Sequence, residues 1–140
     1  MRNAPKTFFT TAALFALCGM IWGIQMSATQ DHTLSPAHGH LNLIGFVMMS
    51  VFGTYYALTP VAGRSRIAGI HYTFNLATVL VLTPGIVLAM TGQTEVPAKI
   101  GSVLAVLTMA LFVFVVLMYG VGKDLKDQPS RAAQYAQPAE

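Results

Sequence analysis

Residues 36–59 read PAHGHLNLIGFVMMSVFGTYYALT and contain no Asp, Glu, Lys or Arg. A helix that crosses a bilayer needs about 20 consecutive, mainly apolar residues, and this stretch is long enough. Pro36 would lie in the first turn of such a helix, where its missing N–H group leaves no helical hydrogen bond unmade. The stretch therefore predicts a membrane-spanning helix, and the rest of the chain is interpreted from it.

Three further apolar stretches, at residues 8–28, 67–90 and 97–121, are also long enough to span. The composition agrees, because 54% of the 140 residues are hydrophobic and 9% are charged, against roughly 25% charged in an ordinary soluble domain. These values exclude a water-soluble globule. We predict an all-α fold, a four-helix transmembrane bundle over residues 1–122, followed by a flexible polar tail at 123–140.

The basic residues predict the orientation of the bundle. Seven of the eight precede the first stretch (Arg2, Lys6), separate the second from the third (Arg64, Arg66) or follow the fourth (Lys123, Lys126, Arg131), and only Lys99 lies at the opposite side. Short loops rich in Lys and Arg stay on the cytoplasmic side of a membrane. We therefore expect a multi-pass protein of the bacterial inner membrane with both termini, and the tail, in the cytoplasm. If the first stretch is instead a cleaved signal peptide, three helices remain in the same orientation.

His38 and His40 carry the main chemical signal, because ionisable groups in a membrane span are costly and usually face the bundle interior or a functional cavity. Each residue of an α-helix advances about 100° around the axis. Two residues apart, these rings point to opposite faces of the second span and cannot easily hold one ion together. Each could serve a different site on either side of the helix. The alternative is that both rings lie hydrated and hydrogen-bonded at the outer interface.

Asn42 and Gly45 follow His38 on one helical stripe. Small residues allow the close approach of another helix or of a flat ligand. The stripe is therefore compatible with a packing seam, and with a cofactor pocket only in combination with the histidines.

The remaining histidines have separate expectations. His32 lies in the loop before the second span and is expected to be solvated. His71 and His40 lie near opposite ends of their spans, roughly 15 to 20 Å apart along a membrane core about 30 Å thick, so one chain cannot bind one iron through both. We interpret His71 as a structural or proton-handling residue that is hydrogen-bonded with Asn75 or lies near Arg66.

The sequence contains no nucleophile and base pair, carboxylate pair, phosphate-binding glycine loop or Cys-x-x-Cys motif. Hydrolytic and nucleotide chemistry therefore has no residues to support it. Any catalysis must come from a cofactor, and the sequence leaves open whether the protein is an enzyme.

The second span resembles the haem-binding spans of haem–copper oxidase subunit I and of nitric oxide reductase. The resemblance rests on residues 37–46, AHGHLNLIGF, and 51–56, VFGTYY. In that family one helix carries two histidines separated by a single residue, and each ligates a different haem from opposite sides. The resemblance implies these two roles for His38 and His40 as metal ligands, with Asn42 and Gly45 beside the cofactor.

The chain departs from this family in ways that bear on its assembly. It lacks the paired histidines that hold copper and the histidine and tyrosine arrangement beside them, and it has about a third of the family's helices. The family subunit is arranged as three arcs of about four helices each, and this chain resembles one arc. The resemblance therefore implies a homotrimer, in which each second span presents His38 to one pocket and His40 to the next.

The expected function is a membrane redox protein that holds haem b between protomers and acts in electron transfer or in redox or gas sensing. Two histidine ligands leave the iron no open position. One alternative is a copper- or haem-dependent protein that reacts with oxygen or nitric oxide, and another is a non-catalytic component of a respiratory complex. The expected partners are membrane lipid, further copies of the chain, and respiratory-chain subunits or a quinone. Nucleic acid is not expected, because the net charge of +3 forms no basic stripe.

Overall fold

The protein is described by a computed structural model that covers residues 3–123, and the predicted tail lies outside the described residues except for Lys123. The described part of the chain is helical and contains no strand. The four long helices are α1 (Ala4–Thr29), α2 (Ser35–Leu58), α3 (Arg66–Met90) and α4 (Val96–Tyr119). Each helix is long and apolar enough to cross a membrane. Within residues 3–123 the prediction of an all-α chain with four helices able to span a membrane is confirmed.

The helices begin at residues that suit the first turn of a helix, and these residues differ from the ends of the predicted apolar stretches. α1 begins at Ala4, four residues before the predicted apolar stretch, and Pro5 lies in its first turn. Lys6 is part of this helix and is exposed, because hydropathy marks the part of a helix in contact with lipid and not its end. α3 begins after Ser65, whose hydroxyl accepts a hydrogen bond from the Ala68 amide at 3.3 Å.

The second helix is not uniform along its length. Its residues Leu41–Met48 are π-helical, between the α-helical segments Ser35–His40 and Met49–Leu58. A π-helix closes its hydrogen bonds between residues i and i+5; it is rare, and it occurs frequently at functional sites. Asn42 and Gly45 both lie in this stretch.

α3 and α4 form an extensive contact with each other. It depends on glycines, because a methyl group on Gly101 would lie 2.6 Å from Cα of Leu82. A methyl group on Gly85 would lie 2.5 Å from the backbone nitrogen of Ala98. Small residues at both positions let the two backbones approach each other, which is how helices gain packing energy inside a membrane.

A buried hydrogen bond joins the same two helices, with 3.0 Å between the hydroxyl oxygens of Thr78 and Thr108. We expect a coupling free energy of about 0.6 kcal/mol between these side chains, the average for such bonds in membrane proteins. A double-mutant cycle with Thr78→Val and Thr108→Val, read by reversible unfolding in detergent, measures it. The control is Thr73→Val at an exposed position of the same helix, which should be additive with Thr108→Val. Strict additivity of Thr78→Val and Thr108→Val would contradict the assignment.

Candidate functional site

The His38 side chain lies between α2 and α1. Its Nε2 atom is 3.0 Å from the carbonyl oxygen of Gly19 and 3.1 Å from Nδ2 of Asn42. The edge of the ring meets Trp22, with 5.9 Å between ring centroids. The carbonyl of Gly19 can only accept a hydrogen bond, so Nε2–H donates to it. The Asn42 amide does not need Nε2 as an acceptor, because it donates to the backbone carbonyl of His38 at 2.9 Å. Nδ1 is then the nitrogen without a proton.

Two glycines of α1 make room for this histidine. A methyl group on Gly23 would lie 3.4 Å from Nε2 of His38, and one on Gly19 would collide with the side chain of Asn42. Gly19 and Gly23 are four residues apart, the spacing of the small-residue motif that brings membrane helices close together. The sequence analysis missed these two positions, although the spacing itself was the signal that could have found them.

His40 lies on a different side of α2 from His38, as the two-residue spacing predicts. The His40 side chain is exposed, and its Nδ1 atom is 2.7 Å from the carbonyl oxygen of Pro36. A backbone carbonyl can only accept, so Nδ1 carries the proton and Nε2 has a free lone pair. A methyl group on the neighbouring Gly39 would meet nothing within 4 Å, so the surface beside this histidine is open.

Asn42 and Gly45 lie in the contact between α1 and α2. A methyl group on Gly45 would lie 3.1 Å from the side chain of Phe15, and Asn42 contacts His38 and the backbone at Gly19. Their positions therefore agree with the packing seam that the sequence analysis left open. A contact of either residue with a cofactor stays a prediction.

The histidines differ in how well they fit a haem iron. In residues 3–123 no three His, Cys, Asp or Glu side chains form a group that could hold a metal ion, but a haem needs only one or two axial side chains. His40 fits an axial position, because its Nε2 is free and exposed. His38 is half-buried, and its Nε2 could ligate an iron only if the ring turned away from Gly19.

His71 is fully buried in the centre of the bundle. Its Nδ1 atom is 2.9 Å from the hydroxyl oxygen of Tyr56 on α2. The prediction that His71 is hydrogen-bonded with Asn75 was therefore wrong, because its partner is Tyr56. Tyr56 reaches the ring from the facing helix, whereas Asn75 lies one turn further along the same helix. Because His71 is completely buried, it cannot reach a ligand at the surface of the chain.

His32 is exposed in the loop between α1 and α2, in agreement with the expectation of a solvated residue. The neighbouring Asp31 accepts a hydrogen bond from the Thr33 amide at 2.9 Å. Hydrogen bonding to the Thr33 side chain, and then to its backbone amide, holds the pKa of the Asp31 carboxyl below its ordinary value. The loop therefore keeps a negative charge beside His32 at neutral pH.

Comparison of this chain with protein-family models, with curated proteins and with solved structures found no match. The site is therefore interpreted from the positions of its own side chains. Those positions give two exposed histidines, His32 and His40, one histidine held between two helices, and one in the core.

Proposed function

We propose that the chain is a haem-binding redox protein of the membrane, in which haem b lies against the exposed side of α2 with His40 as an axial ligand. The observation that carries the proposal is the 2.7 Å contact between Nδ1 of His40 and the carbonyl oxygen of Pro36. Histidines that ligate metals usually donate their other N–H group to a carbonyl or carboxylate, which orients the ring and makes the ligating nitrogen more basic. His40 is oriented in this way on an open surface.

The surface next to His40 suits a flat, mainly apolar group. Leu43 and Val47 follow His40 by three and seven residues, and they are 55% and 44% exposed. Further along, Phe46 and Val51 border a groove of about 570 Å³ between α2 and α4. The exposed histidine would supply the ligand, and the exposed apolar side chains of α2 and the groove against α4 would supply contact area for a haem.

We further propose that the haem lies between copies of the chain in a homotrimer. His38 and His40 of one chain lie on different sides of α2, so a second histidine for the same iron has to come from a neighbouring copy. The trimer follows the resemblance of the four-helix chain to one arc of the oxidase subunit. Two histidines would fill both axial positions of the iron, which favours electron transfer or redox sensing.

The same proposal includes the orientation in a bacterial inner membrane. Arg64 and Arg66 are exposed between α2 and α3, whereas Asp31 lies in the loop between α1 and α2. The distribution of basic residues therefore favours a cytoplasmic position for the α2–α3 loop and for both termini. The outer end of α2, with His38 and His40, then faces away from the cytoplasm.

An absorption spectrum of the full chain, purified in lipid nanodiscs from haem-replete cells, tests the proposal. We expect a Soret band in the oxidised and reduced protein, and the mass of a trimer. A colourless protein with less than one iron or copper ion per trimer would overturn the proposal. Copurification with larger respiratory subunits would then favour the structural or assembly role.

One observation favours a second candidate function, a reaction with oxygen or nitric oxide. The contact of His38 Nε2 with Gly19 at 3.0 Å engages one of the two proposed ligands and leaves the other, His40, exposed. A haem held by one histidine would have an open position. Carbon monoxide separates the two candidates, because it binds the reduced five-coordinate haem and is excluded from a haem with two histidines. Metal analysis distinguishes copper from iron in the same sample.

A further inference from the structure

The centre of the protomer contains a polar cluster formed by Tyr56, His71 and Asn75, apart from the histidines at the outer end of α2. His71 and Asn75 have no exposed surface, and Tyr56 is 1% exposed. His71 and Asn75 are one helical turn apart on α3, so their side chains are neighbours on one side of that helix. The proposed haem site uses none of these residues.

Three atoms of this cluster have no hydrogen-bond partner among residues 3–123. They are Nε2 of His71 and both polar atoms of the Asn75 side chain, Nδ2 and Oδ1. More than about 90% of buried polar groups in proteins are paired, because an unpaired one loses its hydrogen bonds to water without replacing them. Three unpaired atoms on neighbouring side chains therefore indicate a shared partner.

The surroundings of the cluster indicate which partner fits. Three phenylalanine rings, one each from α1, α2 and α4, enclose His71 with centroid distances of 5.8 Å for Phe8, 4.5 Å for Phe52 and 5.7 Å for Phe112. These rings supply no ordinary donor or acceptor. Every charged side chain in residues 3–123 is exposed, so no buried charge calls for an ion as the partner. The partner is therefore small and neutral, and it both donates and accepts hydrogen bonds.

We propose that the cluster binds one water molecule, which bridges Nε2 of His71 and the side-chain amide of Asn75. Buried waters typically make about three hydrogen bonds to polar groups that otherwise lack partners, and three such atoms are present. Water can pair with Nε2 in either tautomer of the ring, because it both donates and accepts. The result is a continuous chain of hydrogen bonds from Tyr56 on α2 through His71 and the water to Asn75 on α3.

Solid-state NMR of the full chain in lipid bilayers, with ¹⁵N-labelled histidine, tests the site directly. We expect transfer of magnetisation from water protons to Nε2 of His71. Asn75→Leu should abolish this transfer, because it removes both polar amide atoms and keeps the branched shape of the side chain. Tyr56→Phe is the matched control and should retain it, because Tyr56 contacts only Nδ1. Absence of the transfer in the wild-type protein, or a direct contact between Nε2 and Asn75, would overturn the proposal.

Stability provides a second readout that does not depend on haem. If a water bridges the cluster, Asn75→Leu leaves Nε2 of His71 unpaired, and the unfolding equilibrium constant should rise about tenfold. If the amide is unpaired in the folded protein, the apolar replacement should leave stability unchanged or raise it. The second result rejects the bound water, whatever the absorption spectrum shows about haem.

Discussion

Replacement of His40 by Ala is expected to remove nearly all Soret absorbance from the purified protein. The side chain is exposed and makes one hydrogen bond, to the carbonyl oxygen of Pro36, so its loss should change the free energy of unfolding by no more than about 0.5 kcal/mol. Loss of colour without loss of stability would identify His40 as a ligand. The measurement is the Soret absorbance per chain together with an unfolding curve in detergent.

Two other histidines make this experiment specific. His32→Ala removes an exposed histidine from the neighbouring loop and should leave the spectrum unchanged. His38→Ala should convert a haem with two histidine ligands into one that binds carbon monoxide when reduced. If His40→Ala retains the full spectrum while His32→Ala loses it, the ligand is His32 and the assignment of His40 is wrong.

Gly101→Ala is expected to lower the free energy of unfolding by about 3 kcal/mol, a value typical of severe overpacking. The added Cβ would lie 2.6 Å from Cα and 2.8 Å from the backbone nitrogen of Leu82. Backbone atoms cannot move aside as the end of a flexible side chain can, so α3 and α4 would have to separate. Separation would also lengthen the buried contact between Thr78 and Thr108. Reversible unfolding of the detergent-solubilised protein measures the change.

Gly39→Ala is the matched control for this substitution. It makes the same chemical change in another helix, at a position where the added atom would meet nothing within 4 Å. In a helix, Ala is intrinsically favoured over Gly by about 1 kcal/mol, so Gly39→Ala should be neutral or stabilising. Equal stability of the two variants would show that the contact between α3 and α4 is looser than the structure has it.

The four helices could be predicted from the sequence because a bilayer imposes one simple requirement, a long run without charged residues. The prediction was least accurate at the ends. α1 extends back to Ala4 because Lys6 can lie in an exposed helical turn as easily as in a loop. Hydropathy measures the preference for lipid, and it contains no information about where backbone hydrogen bonds stop.

The candidate site could be predicted only in part. The spacing of His38 and His40 was enough to place them on different sides of α2, because that follows from helix geometry alone. Which of the two rings faces α1 depends on the space that Gly19 and Gly23 leave. That space exists only where α1 and α2 pack together, so the sequence of α2 alone does not reveal it. The pairing of Tyr56 with His71 likewise joins residues from separate spans, and their proximity follows from packing that no local pattern encodes.

The π-helical stretch Leu41–Met48 has a consequence for the rotational register of α2. Each hydrogen-bonded ring in it contains one residue more than in an α-helix, so the angle between residues before and after the stretch differs from that in a regular helix. The stretch therefore sets the angle between the side that presents His38 and His40 and the side that packs Phe52 and Tyr56 into the core. Deleting one residue within the stretch is expected to bring the two segments closer to α-helical phasing and to rotate both histidines relative to the rest of the bundle. A change within this stretch would thus alter the direction of both histidine side chains and leave the packing of Phe52 and Tyr56 in the core as it is.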